Sequence, residues 1–572
     1  MNIKSSSVSD VAISFCAAAG LGLQTAEDLS RQFLSRAGFY VFSSREYMSR
    51  VRGGNNSTQI RVATRPVRAQ IDRIDWLFAL SSGLHANITE NISDKTNIAG
   101  DASVIEEEIS ALGYKLIDMD LANRAAKLGS PKCSSMIVAG FIAGIFALPE
   151  DTADDLIDMR FKERDTAAAN KLAFRDGHAL GLYHTGGKAI LDVPKKDGAK
   201  EIFLDGVTSV ALGAASAGCN YITAYPMSPG TGVFTFFAKH AKDFSCVAEQ
   251  VEDEISAVNM AIGAAYAGAR AMTTTSGGGF ALMTEGLSLA GITETPIVIH
   301  LAQRPGPATG LATRTEQADL ELALHAGHGE FPRAIYAPIN VESAFRVTRL
   351  AFHTAWKFQI PSIILTDQYF LDSGYDVEIP DLGGIPAPMR PVVADAGYKR
   401  YAFPKAGEVT SPFSVPGLGD GFVSFDSHEH TEDAHITEDR ELRRRMVEKR
   451  LGKTDHIKAE AIPPKITEYG GRGTLIVCWG STFEPLKEAI DSSLNPSDTA
   501  IVACEQVYPL SSEFCDLMSG PARKIFVEGN ATGQFARLVR SFTGAKADEL
   551  VLKYNGFQFT VDELAEKIGR LL

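Results

Sequence analysis

Short apolar runs alternate with polar or helix-like segments along most of the chain. Near the N-terminus these runs occupy positions 11–16, 39–44, 71–80 and 114–120. Each run has the length of a buried strand, and the segments between them have the spacing of helices or turns. This alternation predicts an open α/β sheet, which we place in a first domain at residues 1–190.

The same alternation continues in two later parts of the chain. A second α/β domain is predicted at 201–375, where strand-like runs occur at 267–275, 295–302 and 360–367. Residues 468–572 alternate three strand-like with three helix-like segments and predict a third, smaller α/β domain.

The segment between the second and third domains has a different pattern. Residues 376–467 are first rich in proline and glycine and then strongly charged. This pattern predicts a long irregular linker that carries one surface helix. The predicted fold class is therefore α/β, with three open α/β domains and an irregular linker before the last.

The composition indicates which binding partners and which cellular compartment to expect. The 572 residues include 56 Lys and Arg against 70 Asp and Glu, a formal net charge of −14, which would repel a phosphate backbone. Seven scattered cysteines without a CxxC pair are typical of a reducing compartment, and the N-terminus lacks the apolar core of a signal peptide. The longest apolar run, 136–148, is shorter than the roughly 20 residues that cross a bilayer, so it predicts a buried helix. We expect a cytoplasmic protein that binds neither nucleic acid nor membrane.

Three segments, 224–232, 249–279 and 302–320, contain the candidate chemistry. Glu254 opens a helix whose small residues keep one face narrow, and three glycines follow a strand-like run. Arg304 precedes a stiff Pro-Gly-Pro turn at the end of another strand, a position that suits a carboxylate ligand. Taken singly, these features also fit a solvated helix-start carboxylate, an ordinary turn and a surface arginine.

Taken together, the three segments resemble the alpha chain of the 2-oxoacid:ferredoxin oxidoreductases. These are thiamine diphosphate enzymes that oxidatively decarboxylate 2-oxoacids onto coenzyme A. The family's YPITP motif has its counterpart in Tyr225, Pro226, Met227, Ser228 and Pro229, and QRPGPATGLATRTEQADL follows at 303–320. The block REYMSRVRGGNN at 45–56 resembles the family's gamma unit, so the domain order indicates a fused gamma–alpha chain. The first domain is then gamma-type and the second binds the pyrimidine ring of the cofactor.

The resemblance implies a role for each matching residue. Glu254 would hydrogen-bond the aminopyrimidine ring of thiamine diphosphate and help to generate its reactive form. Ser228, which replaces the usual threonine, would donate a hydrogen bond to the substrate, and Arg304 would bind the 2-oxoacid carboxylate. Thr313 would lie near the substrate side chain. The remaining residues assigned to the substrate are Tyr225, Pro226 and Met227, and those assigned to the cofactor are Ser276 and Gly277.

Coenzyme A is the expected cosubstrate, and its contacts are less clearly marked in the sequence. The gamma unit's usual glycine-rich opening is reduced here to AAAGLG at 17–22, so a phosphate cradle is not expected there. Arg45, Arg50 and Arg52 are candidates for contact with the nucleotide. The same three residues also fit solvated or ion-paired structural arginines.

The sequence also implies a partner chain. The chain has no cysteine set for a [4Fe-4S] cluster, and Gly419, Asp420 and Gly421 lack the later asparagine that completes a Mg-diphosphate motif. No metal site is therefore assigned to this chain. A beta subunit would supply the diphosphate site, Mg²⁺ and the cluster, in an α2β2 assembly that reduces ferredoxin.

The sequence leaves open alternatives for both the substrate and the class of protein. Fused chains of this type imply 2-oxoglutarate and succinyl-CoA first, in either direction, with pyruvate or a broad range of 2-oxoacids as the alternative. A nucleotide-dependent dehydrogenase would also have an α/β opening, but AAAGLG lacks the full GxGxxG pattern. A non-catalytic assembly subunit is the other class, because this chain holds only half of a cofactor site.

Overall fold

The structure is a computed structural model that describes residues 9–18, 21–48, 54–130, 133–194, 201–381, 383–384, 389–494 and 496–572. Within these ranges the strands form three sheets, and helices cover their faces. The α/β fold class predicted from the sequence is confirmed.

The described strands are short and mostly buried. In chain order they are β1 (Asp10–Ala18), β2 (Tyr40–Glu46), β3 (Asn55–Ala63), β4 (Trp76–Ala79), β5 (Asn97–Gly100), β6 (Leu116–Asp118), β7 (Glu201–Asp205), β8 (Tyr221–Ala224), β9 (Val247–Gln250), β10 (Ala271–Thr275), β11 (Ile297–Gln303), β12 (Ala334–Tyr336), β13 (Pro361–Asp367), β14 (Ser373–Glu378), β15 (Lys465–Trp479), β16 (Thr499–Cys504), β17 (Gln506–Tyr508), β18 (Arg523–Glu528) and β19 (Glu549–Leu552).

The described helices range from one turn to six. In chain order they are α1 (Leu23–Ala37), α2 (Ala86–Thr89), α3 (Ala102–Ala111), α4 (Leu121–Lys127), α5 (Ser134–Ile145), α6 (Asp154–Arg160), α7 (Arg164–Thr185), α8 (Gly206–Ser216), α9 (Thr231–Lys239), α10 (Glu254–Tyr266), α11 (Gly277–Leu282), α12 (Thr284–Ile292), α13 (Leu320–His325), α14 (Val341–Phe358), α15 (Gln368–Asp372), α16 (Arg440–Ala459), α17 (Phe483–Ser493), α18 (Ser512–Ser519), α19 (Gln534–Thr543) and α20 (Val561–Gly569).

The first sheet extends beyond the first predicted domain. Its eight strands lie in the order β6-β5-β4-β1-β3-β2-β14-β7. β1 pairs in parallel with β4 and antiparallel with β3, with Ile13 opposite Trp76 and Ile60. β7 and β14 lie at the predicted limits of the second domain, near 201 and 375, yet they extend this sheet through antiparallel pairs. The second domain is therefore joined to the first by the backbone hydrogen bonds between β14 and β2, and β7 extends the sheet by pairing with β14.

The second and third sheets are almost entirely parallel. The second has the order β17-β12-β13-β11-β10-β8-β9, and only β17 is antiparallel to its neighbour. The third has the order β16-β15-β18-β19 with parallel pairs throughout. Because β17 lies in the third predicted domain, it ties that domain to the second sheet.

Two helices of the first domain, α5 and α7, pack closely against each other. The predicted buried helix is α5, and it packs against α7 where Gly140 and Gly144 face Gly177 and Gly181. A Cβ atom on any of these glycines would clash with the backbone of the opposite helix. Glycine is needed here because the two backbones touch. Among the helices of the described ranges, none combines the length and apolar character needed to cross a bilayer.

The predicted surface helix of the linker is α16, and one of its faces is buried. Lys449 and Lys453 reach Glu294, which follows α12, at 2.7 and 2.5 Å. Arg400, from the linker, donates to the backbone carbonyl of Glu294 at 2.6 Å. All three ion-pair side chains are at most 2% exposed, so the charged run is not simply a solvated face. Paired buried charges fix the linker against the second domain.

Candidate functional site

Four neighbouring parallel strands of the second sheet end at one edge. They are β9, β8, β10 and β11, in that spatial order. Glu254 follows β9, Ser228 follows β8, Ser276 follows β10 and Arg304 follows β11. Ligands of open α/β sheets bind at the carboxyl ends of the strands. The fold therefore brings the residues predicted from separate sequence segments to the same edge.

Glu254 is the first residue of α10, and it is buried. Asp253 caps the helix by accepting a hydrogen bond from the backbone N–H of Ser256 at 2.7 Å. Glu254 itself is only 3% exposed, and its Oε1 atom has no hydrogen-bond partner among the described residues. Burial raises the pKa of its carboxyl, with a smaller contribution from the charge of Asp253. This is a carboxyl available to a ligand, and a solvated helix start is excluded.

The glycine turn after β10 lies directly against Glu254. A Cβ atom on Gly279 would be 2.5 Å from Glu254 Oε1, so only glycine leaves room for the carboxylate. Ser276, which precedes the first glycine, is fully buried, and its hydroxyl also lacks a partner in the described structure. Glu254 Oε1 and Ser276 Oγ are thus two buried polar atoms at this turn that have no hydrogen-bond partner among the described residues.

Arg304 and Ser228 meet across the carboxyl ends of β11 and β8. Arg304 Nη1 donates a hydrogen bond to the backbone carbonyl of Ser228 at 2.7 Å. Arg304 Nε has no partner among the described residues, and burial lowers the pKa of the guanidinium. Ser228, Tyr225 and Pro226 are exposed, and Met227 is half-buried. The guanidinium is oriented by the chain and keeps a donor free for an anion.

Thr313 lies in the loop 304–319 and contacts the first domain. Its hydroxyl donates a hydrogen bond to the backbone carbonyl of Tyr47 at 2.8 Å. Arg314, the next residue, forms an ion pair with Glu46 at 3.4 Å. The residue predicted to lie near the substrate side chain therefore also joins the candidate site to the first domain.

Gln317 attaches the same loop to the third domain, and the sequence analysis did not single it out. Its backbone N–H donates to Gly529 O at 2.6 Å, and its Oε1 accepts from Gly529 N at 2.7 Å. Its Nε2 donates to Trp479 O at 2.9 Å, and its Oε1 also accepts from Thr482 at 3.1 Å. The side chain is 2% exposed, so these bonds are sheltered from water. Both partner segments lie more than 150 residues away, which is why local pattern did not reveal this contact.

Two acidic residues at the end of the loop were also missed. Burial raises the pKa of Asp319 to about 6, against the opposing attraction of Arg304. Burial and the charge of Asp319 raise the pKa of Glu316 to about 7. The only trace in the sequence is a short acidic stretch, TEQAD, between Thr313 and α13.

Arg45, a candidate for coenzyme A, is bound within the first domain. Its guanidinium contacts Glu27 at 2.6 Å and Asp28 at 2.8 Å, and these carboxylates hold its pKa above the usual range despite burial. Its assignment to coenzyme A stays a prediction, with both carboxylates already as partners. Arg50 and Arg52, the other two candidates, lie outside the described residues.

Two family descriptions match the chain. Residues 212–449 match the thiamine diphosphate-binding region of pyruvate flavodoxin/ferredoxin oxidoreductase, and residues 12–180 match pyruvate ferredoxin/flavodoxin oxidoreductase. These matched segments contain the edge described above and most of the first sheet. The site and the fold thus define a thiamine diphosphate-binding oxidoreductase subunit.

Individual relatives agree with these matches. The 2-oxoacid:ferredoxin oxidoreductase alpha subunit of a Sulfolobus species is 29% identical over 97% of this chain and 96% of its own length. The 2-oxoglutarate synthase subunit KorA of Archaeoglobus fulgidus is 30% identical over 59% of this chain and 90% of its own length. A structure of the 2-oxoglutarate:ferredoxin oxidoreductase from Magnetococcus marinus, with 2-oxoglutarate, coenzyme A and succinyl-CoA bound, superimposes with a TM-score of 0.87 at 25% identity, covering 98% of this chain and 99% of that one.

The chain belongs to the 2-oxoacid:ferredoxin oxidoreductase family as an alpha subunit. The family resemblance stated from the sequence is confirmed. The match at 212–449 makes the chain a thiamine diphosphate-binding subunit.

Proposed function

We propose that this chain, together with a beta subunit, oxidatively decarboxylates 2-oxoglutarate to succinyl-CoA and CO2 while reducing ferredoxin, or catalyses the reverse carboxylation. The observation that carries the proposal is the buried, unpartnered carboxyl of Glu254 against the glycine turn at Gly279. The choice of 2-oxoglutarate is supported by the names of the KorA relatives and by the ligands of the Magnetococcus marinus structure. Pyruvate is the alternative substrate.

Glu254 fits the pyrimidine end of thiamine diphosphate. Burial raises the pKa of its carboxyl, and a carboxyl in this position would share a proton with a ring nitrogen of the bound cofactor. The buried Ser276 hydroxyl at the start of the same turn would offer a second polar contact, and Gly277 follows it. Of the three glycines of the turn, Gly278 has open space, with only the Ala308 carbonyl oxygen, at 3.9 Å, near its Cβ position. When bound, thiamine diphosphate supplies the nucleophilic carbon that makes loss of CO2 from a 2-oxoacid feasible.

Arg304 and Ser228 fit the carboxylate end of the substrate. The hydrogen bond from Arg304 Nη1 to the Ser228 carbonyl orients the guanidinium, whose positive charge and remaining donors suit the 2-oxoacid carboxylate. The exposed Ser228 hydroxyl is placed to donate to the carbonyl or carboxylate of the same molecule. Thr313, Tyr225, Pro226 and Met227 are the other residues that we assign to the substrate site.

A beta subunit is proposed as the missing half of the site. Ile255, which follows Glu254 on α10, and Leu282, which ends α11 after the glycine turn, are exposed apolar side chains. An exposed apolar surface beside a cofactor site fits a partner chain. The beta subunit would hold the diphosphate, Mg²⁺ and the [4Fe-4S] cluster in a cytoplasmic α2β2 enzyme that passes electrons to ferredoxin and accepts coenzyme A.

The test is steady-state reduction of ferredoxin or methyl viologen by the chain co-purified with its beta subunit. We expect reduction that requires coenzyme A and prefers 2-oxoglutarate to pyruvate. The Arg304→Met variant should raise KM for the 2-oxoacid at least tenfold, whereas Arg537→Met, an exposed arginine paired with Glu321, should leave it unchanged. A preference for pyruvate would overturn the assignment of 2-oxoglutarate as the substrate. No reduction by a complex that contains the cluster and the cofactor would overturn the catalytic role and favour a non-catalytic assembly subunit.

A further inference from the structure

The carboxyl of Asp319 lies against the glycine turn of the candidate site. Asp319 precedes α13, and its backbone N–H donates to Gln303 Oε1 at 3.0 Å, which fixes it beside the end of β11. A Cβ atom on Gly277 would be 2.5 Å from each of the two carboxylate oxygens of Asp319. The Oδ2 atom is buried and has no hydrogen-bond partner among the described residues. A buried carboxylate oxygen without a donor is a costly arrangement unless it gains a proton or a ligand.

Arg304 and Glu316 are the charged groups that act on Asp319. No ion pair within 4.0 Å joins Arg304 and Asp319, and both residues lie in the described part of the chain. Arg304 instead directs Nη1 to the Ser228 carbonyl, so its charge reaches Asp319 through space. Glu316 acts in the opposite sense, because its ionised form and that of Asp319 repel each other.

The charge of Arg304 is the main influence that keeps Asp319 ionised. A substrate carboxylate that binds Arg304 cancels this charge and adds a negative one near Asp319. Ionisation of Asp319 then becomes less favourable, while its buried, donor-free Oδ2 is ready to accept a proton. Asp319 is held by Gln303, the residue that precedes Arg304, and its Oδ2 has no partner among the described residues, so occupancy of Arg304 and protonation of Asp319 are expected to be linked.

We propose that Asp319 takes up a proton from solvent when the carboxylate of the 2-oxoacid binds Arg304, so that substrate binding and protonation of this carboxyl are coupled. The proton goes to Asp319 Oδ2 and removes the negative charge that would repel the substrate. Asp319 thereby acts as a positioning residue for the substrate through Arg304. The inference rests on the proposed function, because it uses Arg304 as the carboxylate anchor.

The first test needs no substrate. Carboxyl absorption is followed by infrared spectroscopy as a function of pH in the complex with the beta subunit, and the band missing in Asp319→Asn identifies Asp319. We expect its titration midpoint near 6 in the wild-type complex and a clearly higher midpoint in Arg304→Met. The control is Glu321→Gln, an exposed carboxylate paired with Arg537, which should leave the midpoint in place. An Asp319 midpoint that does not move in Arg304→Met would overturn the coupling.

The second test counts protons on binding. Calorimetric titration in two buffers of different ionisation enthalpy measures proton uptake with 2-hydroxyglutarate and with lactate, which keep the carboxylate but have no carbonyl to react. At pH 7, a carboxyl with a pKa of about 6 is about nine-tenths ionised, so we expect an uptake approaching one proton per site in the wild-type complex. Asp319→Asn should bind without uptake, and Glu321→Gln should behave as the wild type.

The two proposals fail in different ways. Uptake that persists in Asp319→Asn and disappears in Glu316→Gln would overturn the assignment to Asp319. A wild-type complex that reduces no viologen with any 2-oxoacid would overturn the proposed function. The infrared midpoints still decide the coupling of Asp319 to Arg304 in that case, since they are measured without turnover.

Discussion

The carboxyl of Glu254 rests against Gly279, where a Cβ atom would lie 2.5 Å from its Oε1 atom. The contact explains how a carboxyl at a helix start becomes buried, because the glycine turn after β10 covers it. Both residues sit at the carboxyl ends of parallel strands, so the sheet sets their separation.

Gly279→Ala tests this contact. The added methyl group would push Glu254 and Thr275 from their positions, so we expect a loss of about 1–3 kcal/mol in the free energy of unfolding, together with weaker binding of thiamine diphosphate. Gly263→Ala is the matched control, since Gly263 is an exposed glycine of α10 with open space around its Cβ position. Chemical denaturation and cofactor titration measure both effects. Equal free energies of unfolding and equal cofactor affinities in the two variants would contradict the close contact between Gly279 and Glu254.

Gln317→Ala tests the attachment of the substrate loop to the third domain. The change leaves the Gly529 N–H without its side-chain partner and removes one of the two donors to the Trp479 carbonyl, so we expect about 1–3 kcal/mol lower stability. Because the loop carries Arg304 and Thr313, KM for the 2-oxoacid should rise more than kcat falls. Asn123→Ala, which removes an exposed side-chain hydrogen bond in α4, is the control. A fall in kcat with KM unchanged would show that Gln317 does not position the loop.

Glu294→Gln tests the buried ion pairs of the linker helix. Removing this charge leaves Lys449 and Lys453 buried without their counterion, so we expect a loss of about 3–5 kcal/mol at neutral pH. Lys487→Met, which breaks an exposed pair with Asp491, should cost under about 1 kcal/mol. Similar losses in the two variants would contradict the buried arrangement.

Glu294 should also make the stability of the fold depend on pH. Burial opposes ionisation of Glu294, but Lys453, Lys449 and Arg400 outweigh it and hold its pKa well below the ordinary value of 4.5. The stabilisation is therefore present above pH 4.5 and is lost as the pH falls toward the lowered pKa. Denaturant unfolding between neutral and acid pH should show this decline in the wild type and a weaker one in Glu294→Gln. If the free energy of unfolding declined equally in the wild type and in Glu294→Gln, Glu294 would not contribute to the pH dependence of stability.

Much of the fold followed from the alternation of apolar runs, because buried parallel strands have a simple sequence pattern. The runs at 11–16 and 360–367 became β1 and β13. The extension of the first sheet by β7 and β14 could not be predicted, because strand pairing across more than 150 residues leaves no local trace. The burial of α16 was missed for a related reason, since its lysines gain a counterion from Glu294 only in the folded chain.

The candidate site was predicted in part. Glu254, Ser228 and Arg304 stood out through the resemblance, and the structure places all three at one sheet edge. Asp319 and Gln317 did not stand out, because their importance depends on contacts with Gly277 and Gly529 that only the tertiary structure creates.

Glu254→Gln provides the most direct test of the account. The variant keeps the shape of the side chain but removes the titrating proton, and Glu252→Gln, an exposed carboxylate two residues earlier, is its matched control. In complexes loaded with the cofactor and the cluster, we expect coenzyme A-dependent viologen reduction to fall by about 10²–10⁴-fold in Glu254→Gln and to stay at the wild-type rate in Glu252→Gln. Wild-type turnover in Glu254→Gln would contradict the assignment of this carboxyl to thiamine diphosphate.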